Sequence, residues 1–83
     1  EAEYQCLWER LERLNEFGGV EELRLFSMDG EDRNAEVGLV LYEEISAEDM
    51  RCLFEAVRRC CRDFSVTKTV IQFRYEVGTG ESK

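Results

Sequence analysis

The side chains with the strongest intrinsic reactivity are four cysteines, Cys6, Cys52, Cys60 and Cys61, in a chain of 83 residues that contains no histidine. A thiolate can act as a nucleophile or a soft metal ligand, but either use needs partners at fixed spacing. A structural zinc site draws on compact pairs, such as cysteines separated by two residues, and no such pair occurs. Cys60 and Cys61 are adjacent, and adjacent helical side chains point about 100° apart, which makes them poor disulfide partners. Cys52 and Cys60 fall roughly two helical turns apart. These two are the candidates for a metal, with carboxylates or across two copies of the chain. Cys61 falls in an apolar stripe, where a free cysteine acts as a small hydrophobe. Cys6 lies off the stripe of its own helix. The spacing matches no disulfide framework, so a reducing compartment is expected.

The carboxylates offer little more. Glu21-Glu22, Glu43-Glu44 and Glu48-Asp49 are paired acids, but such pairs are expected on the surface of an acidic protein without any acid–base role. Asp29, Glu31 and Asp32 make half a calcium loop, without the closing glutamate. With no glycine-rich phosphate loop and no nucleophile beside a base, no residue is assigned to catalysis and no enzyme is expected. The net charge of −8, from 19 acidic and 11 basic residues, argues against a grip on a nucleic-acid backbone. One local exception is basic: Arg51, Arg58, Arg59 and Arg62 all fall on the second predicted helix, where a solvated face is the simplest reading.

No apolar run approaches the roughly 18 residues of a membrane span, and the N-terminus lacks the pattern of a signal peptide. The chain reads as soluble. Beginning at Glu1, it also reads as part of a longer protein.

The elements that must position these side chains follow from changes of hydrophobic period. Tyr4, Leu7, Trp8, Leu11 and Leu14 recur at spacings of three and four and predict an amphipathic helix that stops at Gly18-Gly19. Glu21 to Met28 reads as a strand, with Leu23 and Leu25 on one face and Phe26 and Met28 on the other. The polar run from Asp29 to Asn34 is a hairpin loop. From Ala35 to Tyr42 the chain alternates again, with Ala35, Val37, Leu39 and Leu41 on one side. Ser46 as N-cap, with Asp49 three residues on and Ile45 placed to staple Met50, opens a second helix. Its buried stripe is Met50, Leu53, Phe54, Val57, Cys61 and Phe64. Thr67 to Val77 is a β-branched and aromatic strand with Thr69, Ile71, Phe73 and Tyr75 on one face.

The order α-β-β-α-β gives an α+β, two-layer sandwich. The short loop makes the first two strands antiparallel, and the crossover helix makes the last two parallel, so the three-stranded sheet is mixed. Both helices cover one face, as in a ferredoxin-like domain lacking its first strand. Residues 1–77 form a single domain and 78–83 a polar tail. The uncovered face then carries Phe26, Met28, Val40, Tyr42 and Val70, an apolar patch of the kind that marks an interface and here suggests a homodimer.

The run Phe17-Gly18-Gly19-Val20-Glu21-Glu22-Leu23-Arg24-Leu25, the strand through Leu39-Val40-Leu41, the helix opening Ile45-Ser46-Ala47-Glu48 and the final Val66-Thr67-Lys68-Thr69-Val70-Ile71-Gln72-Phe73 together resemble the cytosolic C-terminal domain of cation diffusion facilitator transporters. The resemblance spans nearly the whole chain. It implies a non-catalytic regulatory domain at the cytoplasmic side of a membrane, tethered to a transmembrane domain outside this sequence, that dimerises and in many members senses Zn²⁺ or another divalent cation. The histidines that commonly supply the cytosolic metal ligands are absent here, so no individual ligand is carried over. Two other readings stand beside it: a stand-alone ferredoxin-like module that binds a protein or small ligand, and an acidic inhibitor that mimics nucleic acid.

Overall fold

The first helix ends at a buried asparagine whose side chain bonds the turn and strands that follow. In the computed structural model, which describes residues 2–27 and 32–76, α1 spans Ala2–Leu14 and stops four residues short of the expected glycine pair. Asn15 is only 2% exposed. Its side-chain Oδ1 accepts a hydrogen bond from the Phe17 backbone N–H at 3.2 Å. Its Nδ2 donates to the carbonyl oxygens of Gly19 at 3.0 Å and Val40 at 3.3 Å. One carboxamide therefore turns the chain out of the helix and joins the starting strand to its neighbour.

Gly18 and Gly19 consequently belong to a strand. Strand β1 spans Gly18–Phe26 and β2 spans Asn34–Leu41, paired antiparallel with Gly18 opposite Leu41 and Phe26 opposite Asn34. Glycine is required at the first position for lack of space: a Cβ on Gly18 would sit 1.8 Å from the Val40 carbonyl oxygen. A bulge falls between Val20 and Glu22. Because it inserts one extra residue, Val20 and Leu23 both face the core although three positions apart, where strict alternation would place them on opposite faces.

Ser46 starts the second helix as its sequence predicts, with Oγ accepting from the Asp49 N–H at 3.0 Å. Helix α2 spans Ala47–Asp63 and β3 spans Lys68–Tyr75. The C-terminus of α2 closes through a pair of backbone bonds, Val66 N–H to Cys61 O at 3.0 Å and Ser65 N–H to Arg62 O at 2.9 Å. This is the Schellman arrangement, and it puts Ser65 in the left-handed region at φ 67°. Strand β3 runs parallel to β2, so the sheet is mixed with order β1-β2-β3 and both helices lie on one face. The core between the layers is Leu7, Leu11, Val20, Leu23, Ala35, Val37, Leu39, Leu41, Leu53, Val57, Cys60, Cys61 and Val66. The tip of the expected hairpin loop and the polar tail at 78–83 lie outside the described residues.

Two stability measurements follow from these contacts. Asn15→Ala removes every side-chain hydrogen bond of the buried carboxamide and should cost about 3 kcal/mol, lowering Tm by roughly 10–20 °C in thermal unfolding by circular dichroism. Ser65→Gly relieves a left-handed residue that carries a Cβ and should add about 1 kcal/mol, a gain of roughly 4–8 °C.

Candidate interaction surface on the open sheet face

The register fixes which side chains share the uncovered face. Phe26, Asn34 and Lys68 form one row across the three strands, and Arg24, Glu36 and Val70 form the next. Glu22, Gly38 and Gln72 follow, then Gly19, Val40 and Arg74. Tyr42 projects just past the end of β2.

Sequence alternation alone makes this face an apolar patch, and the structure interrupts it with charge. Arg24 Nη1 lies 2.9 Å from Glu36 Oε1, and the same guanidinium sits 5.7 Å from the centre of the Phe26 ring. Arg74 Nε is 2.9 Å from one Glu21 oxygen and 3.2 Å from the other, and Arg74 Nη2 reaches Glu76 at 3.5 Å. Glu21 stands on β1 and Arg74 on β3, so this bridge crosses the central strand. Gly38 leaves room for it, since a Cβ there would stand 3.3 Å from the Glu22 Cβ and 3.7 Å from the Glu21 Cγ. The bridge passes on the side to which Val40 projects, and Val40 is only 5% exposed. Hydrogen bonding to Glu21, reinforced by the charges of Glu21 and Glu76, raises the Arg74 pKa above its ordinary value.

The candidate interface residues therefore separate into two groups. Phe26 and Val70 lie at one end, where with Asn34 and Lys68 they line a shallow depression of about 210 Å³. Tyr42, the most exposed large hydrophobic side chain among the described residues at 58%, lies at the other end. Val40 contributes little surface, and Met28 lies outside the described residues.

A second exposed surface lies on the opposite side of β3. Phe73 and Tyr75 point to the helical layer as alternation predicts, yet α2 leaves each 41% exposed. Phe54 of α2 meets Phe73 edge-on at 5.9 Å between ring centres, and Phe73 meets Tyr75 at 5.7 Å and 88°. Periodicity shows which way a strand residue points but not how far a helix reaches across the sheet, so the sequence gives no sign of this exposure.

The cysteines do not converge. Cys52 is exposed at the rim of a depression of about 220 Å³ lined by Leu14, Glu16, Phe17, Asp49, Leu53 and Ala56. Cys60, its companion in the expected metal pair, is buried in the core beside Cys61. Among the described residues no three of cysteine, aspartate and glutamate gather closely enough to hold a metal ion. Burial pushes both buried thiols above their ordinary pKa of 9.0; for Cys60 the nearby Arg10 partly opposes this, and for Cys61 a hydrogen bond with Thr69 does.

No family profile and no curated protein matches the chain. Solved structures do. A point variant of the MamM C-terminal domain superposes with a TM-score of 0.73 at 22% identity, over 90% of this chain and 95% of that one. The copper form of the MamM C-terminal domain gives 0.73 at 22% identity, over 90% and 84%. The MamB C-terminal domain of Desulfamplus magnetovallimortis BW-1, a magnetosome protein, gives 0.73 at 14% identity, over 95% and 96%. The chain has the fold of these C-terminal domains. MamM and MamB are known cation diffusion facilitators, and the likeness to their domains is one of fold. It also extends across nearly the full length of the domains matched.

Thiol accessibility tests this placement. In the native protein, Ellman's reagent should titrate Cys6 and Cys52 quickly and reach Cys60 and Cys61 only on unfolding. The raised thiol pKa values fix the sign of the pH dependence: their contribution to stability is fully present below the ordinary value of 9.0 and is lost as pH rises through the raised values. Urea unfolding between pH 8 and pH 11 should show this loss, and Cys61→Ala should make it smaller.

Proposed function

We propose that this chain is a cytosolic regulatory domain of a divalent-cation transporter of the cation diffusion facilitator type, that it dimerises through the open sheet face, and that it is not catalytic. The observation that carries this reading is the match of the whole α-β-β-α-β unit to the MamM and MamB C-terminal domains, at a TM-score of 0.73 over at least 90% of the chain. Residues 1–77 act as one unit, with 78–83 as its tail, tethered to a membrane-spanning part outside this sequence. No helix among the described residues is long and apolar enough to cross a membrane itself.

Dimerisation is supported by the composition of the open face. Phe26, Val70 and Tyr42 provide apolar contact, while the Arg24 pair with Glu36 and the Arg74 pair with Glu21 supply neutralised polar surface between them. A symmetric dimer places the same surface against itself, so a face on which Arg24 is paired with Glu36 and Arg74 with Glu21 lessens the repulsion that a net charge of −8 would otherwise create.

The reading includes no metal trigger. MamM C-terminal domains are known in copper and nickel forms, the latter in a substituted variant. The donor set here does not fit such an ion: histidine is absent, Cys60 is buried, and the exposed Cys52 has no assembled cluster around it among the described residues.

Light scattering at micromolar protein with reduced thiols tests both parts. A dimer is expected with and without a few equivalents of Zn²⁺, and Val70→Glu combined with Tyr42→Glu should give a monomer with unchanged Tm, since both side chains are exposed. A wild-type monomer, or a dimer that survives both substitutions, refutes the interface. A dimer formed only on adding Zn²⁺ refutes the metal-independent assembly.

A further inference from the structure

The two edges of the sheet are not equivalent. The β1 edge lies under α1: the Tyr4 hydroxyl donates to the Leu23 carbonyl oxygen at 2.7 Å, and the bulge at Glu21 breaks its regularity. The β3 edge has β2 on one side, and among the described residues no group bonds to its outer backbone. An exposed strand edge is a row of backbone donors and acceptors ready to pair with another extended segment.

What flanks this edge selects the segment. On the helical side stand the exposed rings of Phe73 and Tyr75, backed by Phe54. Phe54 also sets the orientation of α2, because it faces β3 and residues three or four positions away share its side of the helix. Arg51 and Arg58 stand at −3 and +4 from it and share that side of the helix, with Arg62 one turn beyond Arg58. Arg58 and Arg62 make no ion pair among the described residues, and Arg51 has only the exposed Glu48 at 3.4 Å. On the other side β3 presents Lys68, which makes no ion pair among the described residues, and Arg74, which is paired with Glu21 and Glu76. A chain with a net charge of −8 thus carries unpaired positive charge and exposed aromatic surface along one edge.

These features favour an acidic segment over a second copy as the occupant. In a symmetric antiparallel pairing centred on Ile71, Lys68 would face Arg74 of the other copy, and like charges directly opposite are destabilising. A nucleic acid strand would suit the arginines and rings, but it cannot use the backbone edge and is repelled by the rest of the molecule. We infer that the β3 edge is a docking site for an acidic, extended peptide segment of a partner protein. That segment adds beside β3 as a fourth strand, lays apolar side chains on Phe73 and Tyr75, and sets carboxylates against Arg58 and Arg62. The site borders the face proposed for dimerisation along β3 but uses the backbone edge and the helical side of that strand, and its occupation does not depend on that reading.

The probe is a capped, fluorescein-labelled decapeptide alternating glutamate with valine and phenylalanine, with a lysine-for-glutamate version as control. Anisotropy should show saturable binding of the acidic peptide, weakened about tenfold or more by Arg58→Glu with Arg62→Glu and by added salt. The control peptide should bind at least tenfold more weakly. In ¹H–¹⁵N spectra of labelled protein, shifts should map to the backbone of Thr69 through Tyr75 and to α2 near Phe54, and should leave Phe26 and Tyr42 unmoved. Phe73→Ser, an exposed position whose fold is checked by circular dichroism, should also weaken binding. Absence of shifts at millimolar peptide, equal binding of the lysine peptide, or indifference to the charge reversal overturns the inference. So does sedimentation with phosphatidylserine vesicles that is lost in the arginine variant while the peptide causes no shifts, which would assign the strip to a lipid surface. Light scattering of the same samples reports the dimer separately, so failure here and failure of the proposed function are read apart.

Discussion

The architecture depends on one buried carboxamide. At the junction of the first helix, the first strand and the central strand, backbone groups come together in a buried or part-buried setting, and a fully buried one costs about 1–3 kcal/mol if left without a partner. Asn15 satisfies the Phe17 N–H, the Gly19 carbonyl and the Val40 carbonyl together. Only a side chain that both donates and accepts at this length can do so; aspartate would lack the donor and leucine both functions. Gly18 belongs to the same constraint, because the short exit from α1 presses its α-carbon against the Val40 carbonyl. The position of α1 over β1, and thus half of the core, follows from this contact.

With the helices fixed on one side, the open face must reconcile solubility with association. Exposed ion pairs contribute about 0–1 kcal/mol each, so the Arg24 and Arg74 pairs do little for stability. Their effect is on surface chemistry. The strand-crossing pair of Arg74 and Glu21 turns a continuous apolar stripe through Val40 into two smaller patches with paired charge between them. Such a face is wettable in the monomer and still lacks the net repulsion that would prevent like surfaces from meeting.

The sequence carries most of the fold and less of the surface. Ser46, the stripe of Leu7 and Leu11, and the alternation from Ala35 to Leu41 are local signals, and local signals survive in a single sequence. Asn15 was not legible because a polar residue after a helical stripe reads as an exposed end until the strand it contacts is known. The bulge at Glu21 and the left-handed Ser65 are backbone choices that neither glutamate nor serine announces. Alternation puts Val40 on the uncovered face but does not show that it is buried there, beside an Arg74–Glu21 pair whose members are each far from it in sequence. The exposure of Phe73 and Tyr75 depends on how α2 lies across the sheet, which hydrophobic period does not encode.

The parallel pairing of β3 with β2 also bears on the order of events in folding. The β1-β2 hairpin and α1 close over short separations, whereas β3 can join only after the chain has crossed through α2, a long loop to close before any contact rewards it. Strand β3 then has one strand neighbour and lies only partly under the helices. On these grounds β3 is expected to dock last, and since none of its own residues is fully buried, local opening is expected to start there while α1, β1 and β2 stay assembled.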